Sequence, residues 1–171
     1  MTTNSSILQN GQVNSGLNKC SNHLLVEGSP KSIRKIYAGF RRMDCFESII
    51  GIDREYAERD WFLHNLDRFG TEWDICPEFA DPVLETETFL SVSFMTCWNP
   101  PRAFVKRMCE MYRVRAYLQY QEPLMDFSGY VEYDQSGMLI ENQDYTFREG
   151  VATMDSTRFI ARRLTAKFMT A

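Results

Sequence analysis

The segment that begins at Leu90 constrains the fold most, because an alternating strand runs directly into the start of a helix. Leu90, Val92 and Phe94 fall on one face at a period of two, and serines separate them. Asn99 is a favourable helix N-cap, and Pro100 suits the first helical position, where no N–H is needed. The segment therefore predicts a strand with one buried face, followed at once by a helix.

Hydrophobic periodicity and turn residues place further elements along the chain. In chain order we expect a strand at 22–27, a helix opened by Ser29 and Pro30, a helix from Asp53 to Gly70, an extended segment at 71–79, a strand at 87–96, the helix after Asn99, and strands at 113–120, 127–133 and 138–140. Crossovers between strands of one sheet keep one hand, so both strand–helix–strand units should place their helices on the same face. The sequence predicts an α+β fold, a ferredoxin-like β-α-β sandwich with an inserted helix, an extra β-hairpin and a C-terminal helix.

Aromatic residues mark the expected core around the second of these helices. Phe62, Leu66 and Phe69 recur at helical spacing and should face inward, with Trp61 beside them. Trp73 follows the predicted helix end and is expected to fill a corner of the core, as is Trp98. A ligand pocket lined by Trp73 and Trp98 is the alternative interpretation.

The two ends of the chain differ from its middle. Residues 1–18 are rich in small polar side chains and predict a mobile arm before a domain at 19–150. The arm has neither the basic region nor the apolar run of a secretory signal. No apolar run reaches the roughly 20 residues that a membrane span requires. We therefore expect a cytoplasmic protein with no membrane partner.

Five cysteines stand at widely separated positions, namely 20, 45, 76, 97 and 109. They include no Cys-x-x-Cys pair, and only two histidines could complete a metal site. The pattern favours reduced thiols and predicts no metal and no cofactor. The sequence also lacks a glycine-rich phosphate loop and a nucleophile elbow, so it indicates no catalytic residue.

Four short motifs follow one another along the chain, namely Cys20–His23, Gly70–Asp74, Thr96–Pro101 and Glu122–Tyr130. Together they resemble the YubB ferredoxin-like domain family, which occurs on plasmids, phages and genomic islands, and the resemblance covers about residues 20–140. It implies the same fold and no defined chemistry. The distribution on mobile elements implies interference with a host complex that handles nucleic acid or provides defence.

Charge is sorted along the chain although the formal net charge is only −4. Residues 31–42 carry a net charge of +5 and residues 102–115 carry +4, whereas residues 53–87 carry −8 and residues 121–149 carry −6. In a ferredoxin-like sandwich the two basic stretches would lie on neighbouring helices and form one basic surface. Acidic clusters can imitate the phosphates of nucleic acid and occupy a basic surface on another protein.

The first functional hypothesis is a non-catalytic protein-binding module that inhibits or modulates a host protein complex through its acidic residues. The expected contacts are Asp60, Asp67, Glu72, Asp74, Glu122 and Asp126. The alternative is direct nucleic-acid binding through a basic helix face of Lys31, Arg34, Lys35, Arg102, Lys106 and Arg107. The negative net charge and the absence of aromatics among these basic residues disfavour that alternative. A small enzyme that uses Asp74, Glu122 and Asp126 as acid–base groups is the third hypothesis.

The last predicted element is a basic amphipathic helix within residues 151–171. Ile160, Leu164 and Phe168 recur every fourth residue, and the remaining faces carry Arg158, Arg162, Arg163 and Lys167. Such a helix can pack on the acidic body of its own domain, bind a partner or a second copy as a homodimer, or lie on a membrane surface. Packing on its own domain is the simplest arrangement.

Overall fold

The computed structural model of the protein describes residues 18–75 and 81–149. The elements in chain order are β1 (Lys19–Glu27), α1 (Pro30–Phe40), α2 (Cys45–Ile50), α3 (Arg54–Arg59), α4 (Trp61–Phe69), β2 (Asp81–Thr86), β3 (Phe89–Cys97), α5 (Arg102–Tyr112), β4 (Arg115–Glu122), β5 (Phe127–Tyr133) and β6 (Leu139–Tyr145). The strands form one antiparallel sheet in the order β2-β3-β1-β4-β5-β6. The first four strands have the ferredoxin-like order, and the hairpin β5–β6 extends the sheet beyond β4, which confirms the predicted fold class.

The core lies between one face of this sheet and the helices. Leu24 at the centre of β1 pairs with Val92 on one side and with Leu118 on the other, and all three side chains are buried. From the helix side, the ring of Phe46 on α2 stacks on that of Phe104 on α5 with centroids 4.0 Å apart. Residues at even positions of β1, β3 and β4 therefore face the helices, as their period of two predicts.

The starts of the two longest helices test the predicted caps. The hydroxyl of Ser29 accepts a hydrogen bond from the N–H of Ser32 at 3.2 Å, and Pro30 is the first residue of α1, as predicted. The expected cap at Asn99 is wrong, because α5 begins at Arg102 and its N-cap is Pro101, without a side-chain cap. Residues 98–101 instead form a turn, which moves the helix start two residues along the chain.

The helix predicted from Asp53 to Gly70 is divided into α3 and α4. The break falls at Asp60, whose φ of −156° is extended and whose carboxylate caps α4 by accepting from the N–H of Leu63 at 3.0 Å. Gly70 ends α4 in the left-handed conformation, with φ of 82°, as predicted. The short helix α2 was not predicted, since its six residues are too few for a helical period.

The extended segment predicted at 71–79 is not a strand where the structure describes it. Residues 71–75 form a loop, and the edge strand β2 begins only at Asp81. The predicted arm, apart from residue 18, and the predicted C-terminal helix lie outside the described residues. Within the described ranges, the helices are too short or too polar to cross a bilayer.

Candidate protein-binding site

The outward face of α4 is apolar. Trp61, Phe62 and Leu63 follow directly after the cap at Asp60, and each is exposed. Three consecutive helical residues spread over about 200° of the helix circumference, so they cannot all face one core. The core side of α4 is taken by His64 and Phe69 instead, and the prediction that Phe62 is buried is wrong.

His64 fixes the position of α4, because its ring is only 2% exposed and both ring nitrogens are bonded. Nε2 accepts a hydrogen bond from the N–H of Asp53 at 3.2 Å, so the ring proton lies on Nδ1, 3.0 Å from the side-chain oxygen of Asn65. The amide of Asn65 then donates to the carbonyl of Glu72 at 2.8 Å. This chain of bonds connects the start of α3, the middle of α4 and the loop after α4.

The loop at residues 70–75 is held at several further points. The hydroxyl of Thr71 donates to the carbonyl of Cys97 at 2.9 Å, which ties the loop to the end of β3. The carboxylate of Asp74 accepts from the N–H groups of Phe46 and Glu47 at the start of α2, and from that of Ile75. The position of Trp73 is therefore fixed by bonds on both sides of it.

Trp73 and Trp61 meet on the surface. Their ring centroids are 4.7 Å apart at an interplanar angle of 41°, yet the two residues remain 46% and 47% exposed. The expectation that Trp73 fills a corner of the core is therefore wrong. The ring of Trp61 also lies 6.0 Å from that of Phe62, and we call Trp61, Phe62 and Trp73 the tryptophan patch. Contiguous exposed apolar surface of this kind marks interaction sites in soluble proteins.

Acidic residues border the tryptophan patch. Asp60 precedes Trp61, Asp67 lies one turn after Leu63 on α4, and Glu72 precedes Trp73. The structure thus places two of the six predicted acidic contacts, Asp60 and Glu72, next to the patch, whereas Asp67 lies about 120° around α4 from Trp61. Asp67 is paired with the guanidinium of Arg107 at 3.1 Å, so Asp60 and Glu72 account for most of the uncompensated negative charge there.

Asp74 holds the loop that carries the patch and is not part of the patch surface, because its carboxylate accepts hydrogen bonds from three backbone N–H groups. Burial raises the pKa of Asp74 from 3.8 to about 6, although these hydrogen bonds act in the opposite direction. The folded protein therefore holds this proton more tightly than the unfolded chain. The resulting stabilisation is complete below pH 3.8 and is lost as the pH rises through about 6.

We expect this pH dependence to disappear in Asp74→Asn, which cannot ionise. Between pH 4 and pH 7 the free energy of unfolding of the parent should fall by about 2 kcal/mol relative to that of the variant. Urea unfolding of both proteins at the two pH values measures the difference. Parallel pH profiles for the two proteins would show that Asp74 does not titrate in this range.

The remaining two acidic contacts predicted from the sequence lie apart from the patch, in the connection between β4 and β5. Glu122 is only 1% exposed, and one of its oxygens accepts from the N–H of Met125. A buried carboxylate cannot meet a partner, so Glu122 is removed from the predicted contact set. Asp126 is exposed, with a left-handed φ of 53° in the same turn. Within the described residues no hydrogen bond joins Asp74 to either carboxylate of this turn.

The six basic residues predicted to form one face behave as two groups. Lys31, Arg34 and Lys35 are exposed on α1 and have no ion pair with another described residue. The three on α5 are paired with acids, namely Arg102 with Asp144, Lys106 with Glu110 and Arg107 with Asp67. The structure therefore does not join the two groups into a single free basic surface.

An open cavity of about 460 Å³ lies at the start of α5. Arg102 lines it, with its guanidinium 4.8 Å from the ring centre of Tyr120 and hydrogen-bonded to the Tyr120 hydroxyl and to Asp144. The charge of this arginine is thus already balanced. Among residues 18–75 and 81–149, no group of three or more His, Cys, Asp or Glu side chains is placed to hold a metal ion.

The strand order and the helices on one face define a ferredoxin-like α+β domain. A family model described as the ferredoxin-like domain in Api92-like protein matches residues 74–160, just over half of the 171 residues, so the chain belongs to this family. A crystal structure of the protein Api92 from Yersinia pseudotuberculosis matches with a TM-score of 0.50 at 11% identity, over 75% of this chain and 98% of that one. This likeness supports the fold alone. No curated protein matches the chain.

Proposed function

We propose that the protein is a non-catalytic binding module that holds another protein on the tryptophan patch. The observation that carries this proposal is the pair of half-exposed tryptophans, Trp61 and Trp73, on a helix and a loop fixed by hydrogen bonds to other elements. Tryptophan is enriched among the few residues that dominate binding energy at protein interfaces. A surface that is already ordered before binding also loses little conformational entropy on association.

The chemistry of the partner follows from the border of the patch. Asp60 and Glu72 border the patch, so the complementary surface presents an apolar side chain bordered by lysine or arginine. Cationic side chains can also rest on the exposed tryptophan rings. The proposed binding surface is therefore smaller than the acidic surface expected from the sequence, since it lies at one end of the domain. Its main contacts are the aromatic residues of the patch.

The resemblance to the YubB family, carried by mobile elements, supports a more specific role. In this proposal the protein acts in the cytoplasm of a host cell and inhibits or modulates a host complex that handles nucleic acid or provides defence. The basic surfaces of such complexes normally hold the phosphates of nucleic acid, and an acidic patch competes with those phosphates for the basic surface.

Charge reversal of Glu72 tests the proposal. Asp60 and Asp74 are unsuitable because each accepts hydrogen bonds from backbone N–H groups at the start of a helix, so their reversal would also lower the stability of the fold. We expect Glu72→Lys to weaken binding about fivefold at low salt, and less at high salt, because rim charges act mainly through screened attraction. The partner is first isolated from host extract with the tagged full chain, and its Kd is then measured with purified components.

Glu87→Lys is the matched control, since it makes the same charge change on an exposed residue beside the opposite end of β3. Its Kd should equal that of the parent. Equal weakening by the two variants would indicate a long-range charge effect, and no weakening by Glu72→Lys would remove the acidic border from the site.

The exposed basic group on α1 supports a second candidate function, direct nucleic-acid binding. Lys31, Arg34 and Lys35 have no ion pair among the described residues and could contact phosphates. A gel-shift assay at about 50 mM salt separates the two functions, because phosphate contacts are strongest at low salt. If neither the parent protein nor Lys35→Glu shifts the nucleic acid, this candidate function is eliminated.

A further inference from the structure

The sheet has a second apolar cluster on the face opposite the helices. It consists of Leu25, Phe89 and Tyr117, with Tyr130 packed against them. Leu25 pairs directly with Tyr117 across β1 and β4, and the rings of Tyr117 and Tyr130 are stacked with centroids 5.5 Å apart. Every member belongs to a strand, whereas the described helices contribute their buried residues to the other cluster.

This second cluster is nevertheless shielded from water. Leu25 is 3% exposed and Tyr117 is 5% exposed. Side chains at the centre of a sheet face that is open to solvent keep much of their outer surface accessible, because strand neighbours cover only their sides. The low exposure therefore indicates a cover over this face, and none of the helices within residues 18–75 and 81–149 provides it.

The same face is acidic next to the cluster. Glu132 on β5 and Glu141 on β6 are directly opposite each other, an arrangement that like charges disfavour unless cations are near. Arg115 bonds Glu132, while Glu141 accepts from the hydroxyl of Tyr130 at 2.6 Å. The two carboxylates give this face a negative charge, and a cover with basic side chains complements it.

We propose that residues 155–169 of the same chain are this cover. The segment offers an apolar row, Ile160, Leu164 and Phe168, flanked by Arg158, Arg162, Arg163 and Lys167. It therefore matches both the apolar cluster and the carboxylates beside it. The family model also extends to residue 160, beyond the last described residue, which supports a place for this stretch within the domain.

Lengths agree with this arrangement. A helix of 15 residues is about 22 Å long, and five strand spacings of about 4.8 Å are of the same length. The connection after Tyr145, the last residue of β6, has nine residues before Asp155. Residues 147–149 already form a helical turn, with Phe147 bonded to Asp126, and the five residues 150–154 reach about 17 Å when extended, which is sufficient to return from the edge strand to the middle of the sheet.

The test compares two substitutions in the full-length protein. Leu164→Asp places a charge in the apolar row, and Ala166→Asp places the same charge about 200° away on the predicted helix. We expect Leu164→Asp to lower Tm by about 4 °C or more and to increase binding of a hydrophobic dye several-fold, because the cluster becomes exposed. Ala166→Asp should change neither quantity.

The milder variant Leu164→Ala keeps the proposal testable even where Leu164→Asp does not fold. It should give a smaller change of the same sign in both measurements. Light scattering then shows whether residues 155–169 cover the sheet of their own chain or that of a second copy. Exchange with a second copy produces a dimer, and Leu164→Asp dissociates that dimer. A monomeric parent supports docking within one chain, and a dimer would overturn it. Equal behaviour of Leu164→Asp and Ala166→Asp would also overturn the proposal.

Discussion

We expect Trp73→Ala to weaken binding to the protein partner by about 30-fold or more. The side chain is half exposed, contacts the ring of Trp61 at a tilted angle and is held by a loop bonded at Thr71 and Asp74, so its apolar surface is available without rearrangement. Central tryptophans of protein interfaces contribute about 2 kcal/mol or more, which corresponds to this change in Kd. Isothermal titration or surface plasmon resonance with the purified partner measures it.

The folding of Trp73→Ala should be nearly unchanged, because the bonds that hold the loop come from its neighbours. Trp61→Ala should weaken binding to a similar extent, and the double variant should show less than the sum of the two effects, since the rings are in contact. Met138→Ala is the control, an exposed apolar residue on the β5–β6 hairpin. A parent-like Kd for both tryptophan variants would exclude the tryptophan patch as the binding surface.

We expect His64→Ala to lower the free energy of unfolding by about 3 kcal/mol. The substitution leaves a cavity beneath α4 and removes the acceptor for the Asp53 N–H and the donor to Asn65. For a chain of this size the loss corresponds to a fall in Tm of about 6–12 °C. Urea unfolding followed by circular dichroism measures the change.

The other histidine provides the control for this prediction. His23 lies on the sheet face away from the helices, and its Nδ1 is 3.1 Å from the hydroxyl of Ser93. His23→Ala should lower the free energy of unfolding by about 1 kcal/mol or less. His64→Gln should recover part of the stability, because its amide oxygen can replace Nε2 as an acceptor. Equal effects of the two alanine variants would mean that His64 does not organise α4.

The predicted strands were confirmed where a period of two was combined with burial on one face. Leu90, Val92 and Phe94 are buried as that period requires. The α1 cap at Ser29 was also confirmed, because a cap depends on a few adjacent residues. The cap at Asn99 was wrong although its residue type is favourable, since the turn at 98–101 carries the chain past it before α5 begins.

The candidate site was predicted only in part. Asp60 and Glu72 were selected by charge and lie next to the tryptophan patch, but the aromatic anchors were assigned to the core. A signal for them exists in the sequence, since Trp61, Phe62 and Leu63 are adjacent and no single helix face can bury three adjacent positions. Glu122 was selected by charge as well, and only its position at the buried end of β4 removes it.

Local pattern in the sequence determined the strands, the α1 cap, the helix end at Gly70 and the α+β class, because these depend on periodicity and on backbone preferences of single residues. Tertiary structure alone decided which aromatic residues reach the surface and which carboxylates are used internally. Trp73 is exposed because Thr71 and Asp74 are bonded to Cys97 on β3 and to the start of α2, and those partners are distant in the chain. Contacts between distant segments depend on how the helices pack, which no local pattern encodes.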